Sequence, residues 1–212
     1  MQLNRIGLTL GLITTFLLSF NLNTQAQNTG IYVTFEGGPA FPLGSYRASE
    51  SASAGYAQLG INGTAAVGFR LNNYLALGGK FAFTQNPVAP EATFLEETPW
   101  RSNFFMADLT LNYPFDDRFA LEGNLSGGYA QTEFPDGDFE IGNFNIYNEG
   151  GKGSGFGYGA GLGLRYFLDD YVSFKLGANY LAANQELNSN GNTVNQSVNL
   201  LTTNFGVTLT MD

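Results

Sequence analysis

The stretch Gly60–Thr84, GINGTAAVGFRLNNYLALGGKFAFT, decides the fold. Ile61, Gly63, Ala65, Val67, Phe69 and Leu71 alternate with Asn62, Thr64, Ala66, Gly68 and Arg70. After Asn72-Asn73 the alternation resumes. Leu75, Leu77, Gly79, Phe81 and Phe83 now stand against Ala76, Gly78, Lys80, Ala82 and Thr84. A period of two marks strands with two unlike faces. Adjacent Asn residues tolerate positive φ and suit a tight hairpin turn between them. The plan recurs in YPFDDRFAL (Tyr113–Leu121) and YFLDDYVSF (Tyr166–Phe174), each apolar on both sides of an Asp doublet.

The same period extends outward along the chain. Phe105, Ala107, Leu109, Leu111 and Tyr113 oppose Met106, Asp108, Thr110 and Asn112. Phe119, Leu121, Leu125 and Tyr129 oppose Glu122, Asn124 and Ser126. Phe156, Tyr158, Ala160, Leu162 and Leu164 oppose glycines and Arg165, and Val172, Phe174, Leu176, Ala178 and Tyr180 oppose Ser173, Lys175 and Asn179. A first strand over about Gly30–Ala40 and a last over about Val198–Met211 make eight, each of roughly the 9–11 residues that a tilted membrane strand requires. Connections alternate. The Asn and Asp doublets are tight, whereas Phe41–Leu59, Gln85–Arg101, Thr132–Gly153 and Asn184–Ser197 read as long polar loops.

Alternation alone also fits a water-soluble barrel with its apolar face inward. Composition separates the two. A soluble exterior is normally ~25–35% charged, whereas 13% of this whole chain is charged and its polar faces are mostly Gly, Ala, Ser, Thr and Asn. Tyr74, Tyr113, Phe115, Phe119, Tyr166, Phe167 and Tyr171 crowd the doublets. Rings at headgroup level form the girdle of a membrane barrel. The expected fold is all-β: an eight-stranded antiparallel up-and-down transmembrane β-barrel with short periplasmic turns and long extracellular loops.

Seven strand charges, Glu36, Arg70, Lys80, Asp108, Glu122, Arg165 and Lys175, share the polar face. A Lys or Arg facing lipid at mid-bilayer costs ~2–4 kcal/mol, so a common parity is an energetic requirement. Inside a narrow barrel they form either an ion path or, more in keeping with a filled interior, a packed set of ion pairs. Sequence does not say which acid meets which base. The glycine-rich run GSGFGYGAGLGLRY (Gly153–Tyr166) has no following helix, so it does not match a nucleotide-binding turn. Its alternate glycines make room for large lumen side chains from adjacent strands.

Cys and His are both absent and the net charge is −9. Thiol and imidazole chemistry are excluded, and a nucleic-acid partner is not expected of an acidic chain. No cofactor or metal site is expected. Asp136, Asp138 and Glu140 stand in an acidic loop but lack the ligand spacing of a calcium-binding loop. With the other loop carboxylates they offer a surface to an extracellular protein or ligand, or merely a solvated one. Residues 1–26 read as a secretory signal: Arg5, an apolar run Ile6–Phe20 shorter than a spanning helix, then small residues at Thr24 and Ala26. Residues 27–212 are expected to form the barrel domain.

On these residues the chain resembles the outer-membrane β-barrel domain family of Gram-negative bacteria, which includes OmpX/Ail-like, opacity-like and PorT-like barrels and the barrel of OmpA. The family's C-terminal assembly signal is similar to Asn204-Phe205-Gly206-Val207-Thr208-Leu209-Thr210-Met211, with Asn204, Gly206, Leu209 and Met211 as its marked positions. This chain departs by ending on Met211 and Asp212 where an aromatic is usual. The resemblance implies export to the outer membrane, insertion by the barrel assembly machinery, contact with outer-membrane lipid, and a non-enzymatic surface role of adhesive type. Barrel enzymes of this family use a catalytic His that is absent here. An accessory subunit of a secretion or gliding machine and a narrow pore are the alternatives. Mass spectrometry of the exported protein is expected to find Gln27 as its first residue; retention of residues 1–26 would refute cleavage after Ala26.

Overall fold

A computed structural model describes residues 30–49, 55–90, 98–135, 137–141, 144–148, 151–189 and 192–211, with side chains described outside 136–150 and 187–195. The proposed signal sequence lies outside these residues. Among them are the strands β1 (Ile31–Pro42), β2 (Gly60–Arg70), β3 (Leu75–Asn86), β4 (Trp100–Asp116), β5 (Phe119–Glu133), β6 (Gly137–Ile141), β7 (Phe144–Asn148), β8 (Lys152–Phe167), β9 (Val172–Ser189) and β10 (Asn192–Met211). Among the described residues one 3-10 turn is present, over Gly44–Tyr46.

Eight strands close a barrel in the order β1-β2-β3-β4-β5-β8-β9-β10 and back to β1. Every neighbouring pair is antiparallel. The closing seam sets Ile31 opposite Met211, Val33 opposite Leu209 and Phe35 opposite Val207. β6 and β7 form a separate hairpin beyond the barrel.

The doublets make the turns by another route than positive φ. Tyr56 is the only non-glycine residue with positive φ among the described residues. Instead the first residue of a doublet caps the turn with its side chain. Asn72 Oδ1 accepts from the Tyr74 and Leu75 amides at 2.8 Å each. Asp169 Oδ1 accepts from Tyr171 and Val172 at 2.8 and 2.7 Å. Asp116 Oδ1 accepts from Arg118 at 3.1 Å. These are Asx turns, which need a short side-chain carbonyl and no unusual backbone. The three turns share one end of the barrel with Ile31 and Met211. Aromatic rings gather there, with Phe119 5.1 Å from Tyr166 and 6.2 Å from Phe115.

The burial pattern is inverted relative to a water-soluble protein. Leu162, Phe156, Leu176, Ile61, Leu125 and Phe205 are exposed on the outer wall, Leu162 by 76%. Lys80, Asp108, Glu122, Arg165, Lys175 and Asn204 are buried inside. All seven charges follow the parity read from sequence. Arg70 is half-buried at the turn end, and the Glu36 side chain is buried at its own level of the lumen. Such an outer wall is stable only against hydrocarbon.

The β8 glycines are where the lumen needs space. A Cβ on Gly161 would lie 2.1 Å from Asn179 Oδ1, and one on Gly157 would lie 3.0 Å from Phe104 Cδ1. Large side chains from β9 and β4 thus occupy the volume those residues leave.

The expected loop lengths need correction. The barrel strands run from 11 to 20 residues, longer than the membrane minimum. Asn184–Ser197, read as a polar loop, is mostly strand: β9 and β10 stay paired out to Ser189 and Asn192. Polar Asn, Gln and Ser can continue a hairpin once its register is fixed, so the loss of apolar alternation did not mark the strand end.

Leu125, midway along β5 on the outer wall, tests the inverted arrangement. Leu125→Arg is expected to cost ~2–4 kcal/mol in unfolding titrations in lipid bilayers, whereas Leu125→Ile costs under ~1.5 kcal/mol.

Candidate functional site

The lumen has three zones: an ion-pair core, a cleft at the turn end and an aromatic plug at the other mouth. The core is assembled from strands distant in sequence. Lys175 of β9 bridges two acids, its Nζ lying 2.7 Å from Glu36 Oε1 of β1 and 2.6 Å from Glu122 Oε1 of β5. Glu122 Oε2 accepts from Arg165 Nε at 2.9 Å and also from Arg165 Nη2. Arg165 Nη1 donates to Ser173 Oγ at 3.0 Å. Asn204 Nδ2 donates to Glu36 Oε2 at 3.2 Å. A second pair joins Lys80 Nζ to Asp108 Oδ1 at 3.1 Å, and Thr110 Oγ1 donates to Asp108 Oδ2 at 2.8 Å.

Closure of the sheet explains these meetings. Glu36 and Lys175 both stand opposite Gly206 of β10. A Cβ on Gly206 would come 2.6 Å from Glu36 Cγ. Glycine there clears the way for the carboxylate and ammonium to meet across the intervening strand. Buried charges are tolerated when paired and hydrogen-bonded, and six of the seven are paired.

Arg70 is the exception: among the described residues it makes no ion pair. It lines a cleft of about 480 Å³ at the turn end, with Asn112, Asp117, Arg118, Asp169 and Asp170.

The third zone was missed in the sequence, where Phe41–Leu59 read as a polar loop. The segment after β1 folds into the mouth. Tyr46 is fully buried and meets Trp100 edge-on at 5.2 Å. Trp100 Nε1 donates to Gly55 O at 2.8 Å, and Phe134 packs on Trp100 at 4.6 Å. Asn86 Nδ2 ties the segment down through Ala40 O and Gln58 O at 3.1 and 2.8 Å. Phe104, Leu181, Val198 and Leu200 fill the lumen beneath. A signal was present: Phe104 and Trp100 share the even parity of Met106 and Asp108, which faces inward.

The marked C-terminal positions divide between the two faces. Asn204 is buried and Gly206 faces the lumen, whereas Leu209 and Met211 are exposed on the outer wall at 43% and 50%. Asp136 lies outside the described residues. Asp138 and Glu140 fall in β6, whose backbone pairs with β7, and their side chains are outside the description.

Residues 12–211 match the family described as outer membrane protein beta-barrel domain. The chain belongs to that family. Its seat is the outer membrane, which supplies the hydrocarbon that the outer wall needs. Among solved structures, neisserial surface protein A (NspA) superposes with a TM-score of 0.58 at 13% identity, covering 84% of this chain and 96% of that one. A major outer membrane protein from Thermus thermophilus gives 0.46 at 14% identity, covering 86% and 99%. The attachment invasion locus protein Ail of Yersinia pestis gives 0.41 at 15%, covering 86% and 97%. No curated protein matches the sequence. At 13% identity the likeness to NspA concerns the barrel alone.

In this outer-membrane barrel, Glu122 is the acid shared by two bases. Glu122→Gln leaves Arg165 and Lys175 short of a counter-charge, and a loss of ~3–5 kcal/mol is expected. Replacing a whole pair, Lys80→Met with Asp108→Leu, is expected to be neutral or stabilising by up to ~4 kcal/mol. Unfolding titrations of refolded protein in lipid separate these outcomes.

Proposed function

We propose that this protein is a non-enzymatic surface protein of adhesive type, its barrel an anchor for acidic loops that meet an extracellular protein or surface ligand. The observation that carries the reading is the occupied lumen. Ion pairs occupy its lower half, and Tyr46, Trp100 and Phe104 occupy its mouth. An eight-stranded barrel leaves no aqueous channel beyond its own side chains, so the business end is the loop end. The absence of His and Cys removes imidazole and thiol catalysis.

In this reading the doublet turns face the periplasm and the longer connections face outward, as such barrels are built. The exported chain loses residues 1–26, and the assembly machinery reads Asn204, Gly206, Leu209 and Met211. Strand addition supplies a binding mode. β1 ends at Pro42 opposite Leu200, while β10 continues paired to β9 as far as Asn192. The Leu43 amide donates to Asn199 O at 2.9 Å, and beyond that bond the other edge of β10 has no strand partner among the described residues. The β6–β7 hairpin, which carries Asp138 and Glu140, stands at the same end.

Deleting residues 137–148 is expected to leave heat-modifiable gel migration intact while reducing cell binding to a basic or extended-peptide surface by at least about twofold, the scale of lost exposed contacts. Unchanged binding would remove the hairpin from the proposal. Planar bilayers are expected to show no steady conductance; a stable open level would favour the narrow pore. Stoichiometric copurification with a secretion or gliding machine would favour the accessory subunit.

A further inference from the structure

The turn-end cleft pairs an unsatisfied base with an acidic rim. The lumen holds four bases, Arg70, Lys80, Arg165 and Lys175, against three acids, Glu36, Asp108 and Glu122. The acids are spent. Glu36 serves Lys175, Asp108 serves Lys80, and Glu122 serves both Lys175 and Arg165. Arg70 is left with one unanswered charge. Its charged and titratable neighbours are Arg165, Glu122 and Tyr32, the first of like sign and the second already committed. A guanidinium is a planar fork of N–H donors that matches a carboxylate two bonds at a time. A half-buried one without a partner, opening on a cavity, is a site for such an anion.

The rim restricts which anion. Asp117, Asp169 and Asp170 line the same cleft, with Arg118 their single basic companion. One oxygen of Asp169 is occupied by the Tyr171 and Val172 amides. Asp117 and Asp170 carry no hydrogen bond or ion pair among the described residues. A simple anion must pass these carboxylates, and a simple cation has no reason to go further than they do. A molecule carrying both signs satisfies both ends.

We infer that this cleft binds a small zwitterion of the α-amino acid class. Its carboxylate sits on the Arg70 guanidinium, and its ammonium sits between Asp117 and Asp170. The cavity of about 480 Å³ has room for a compact ligand of this kind. Because the turns are proposed to face the periplasm, the site would sample periplasmic solutes. It is independent of the loop-end surface role, and neither proposal fails with the other.

The test uses the full exported chain refolded in lipid nanodiscs, with glycine, acetate and methylamine as probes. Backbone amide shifts of Asn73 and Asp117 report occupancy by NMR. Glycine is expected to give saturable shifts. Acetate is expected to bind about two- to fivefold more weakly, the worth of an exposed ion pair, and methylamine not to saturate. Arg70→Gln is expected to abolish saturation by glycine and acetate alike. Asp170→Asn crosses the two over, weakening glycine and strengthening acetate. Unboiled gel migration checks that each variant still closes its barrel. No saturable glycine shift, acetate binding as tightly as glycine, or an Asp170→Asn effect of the same sign on both probes would overturn the inference.

Discussion

The seam between β1 and β10 is the constraint on which everything else depends. Hydrocarbon offers no partner to a backbone N–H or C=O, so each unpaired group costs several kcal/mol. A sheet in lipid therefore has to close. Here Ile31 meets Met211 and the ladder continues through Pro42 and Leu200. This sheet closes with eight strands, and eight strands make a lumen narrow enough to be filled by side chains. The ion pairs follow from that geometry. Glu36 on the first barrel strand reaches Lys175 on the seventh only because β10 lies between them with Gly206 in the way of neither.

The lumen then divides by what each end must face. Toward the turns the filling is ionic: Lys175, Glu36, Glu122 and Arg165 exchange their hydration shells for one another. Toward the loops it is apolar and aromatic, with Phe104 and Leu200 below and Tyr46 against Trp100 above. Charge-assisted bonds in a low dielectric are strong but require that every partner be present. The aromatic end requires shape instead, and takes it from a loop that folds back into the mouth. Both arrangements fill the lumen with protein side chains.

Much of this was legible in the chain. The alternation across Gly60–Thr84 and its repeats specified strands, their faces and the inward parity of all seven charges, because the side-chain period of a strand is two. The doublets were legible as turns, although Asn72 and Asp169 work by side-chain capping and not by backbone strain. The family resemblance drawn from these patterns is the family to which the chain belongs. The β9–β10 hairpin was under-read, since Asn184–Ser197 carries no apolar face and its buried residues, Gln185 and Gln196, are polar. The plug was under-read as well, since the residues after β1 have no period, and their burial comes from what they fold against.

The sequence by itself determined where the eight membrane-spanning strands lie, which side of each is greasy, and that such a chain belongs in a bilayer. These are local properties, set by the spacing of neighbours along one segment and by the free energy of moving side chains from water to hydrocarbon. Only the tertiary structure decided that Lys175 bridges Glu36 and Glu122, that Asp108 answers Lys80, that Arg70 is left over, and that Tyr46 closes the mouth. Each depends on register and on the curvature of the closed sheet, which bring together residues far apart in the chain, and a pairing between distant strands leaves no mark in the order of either one.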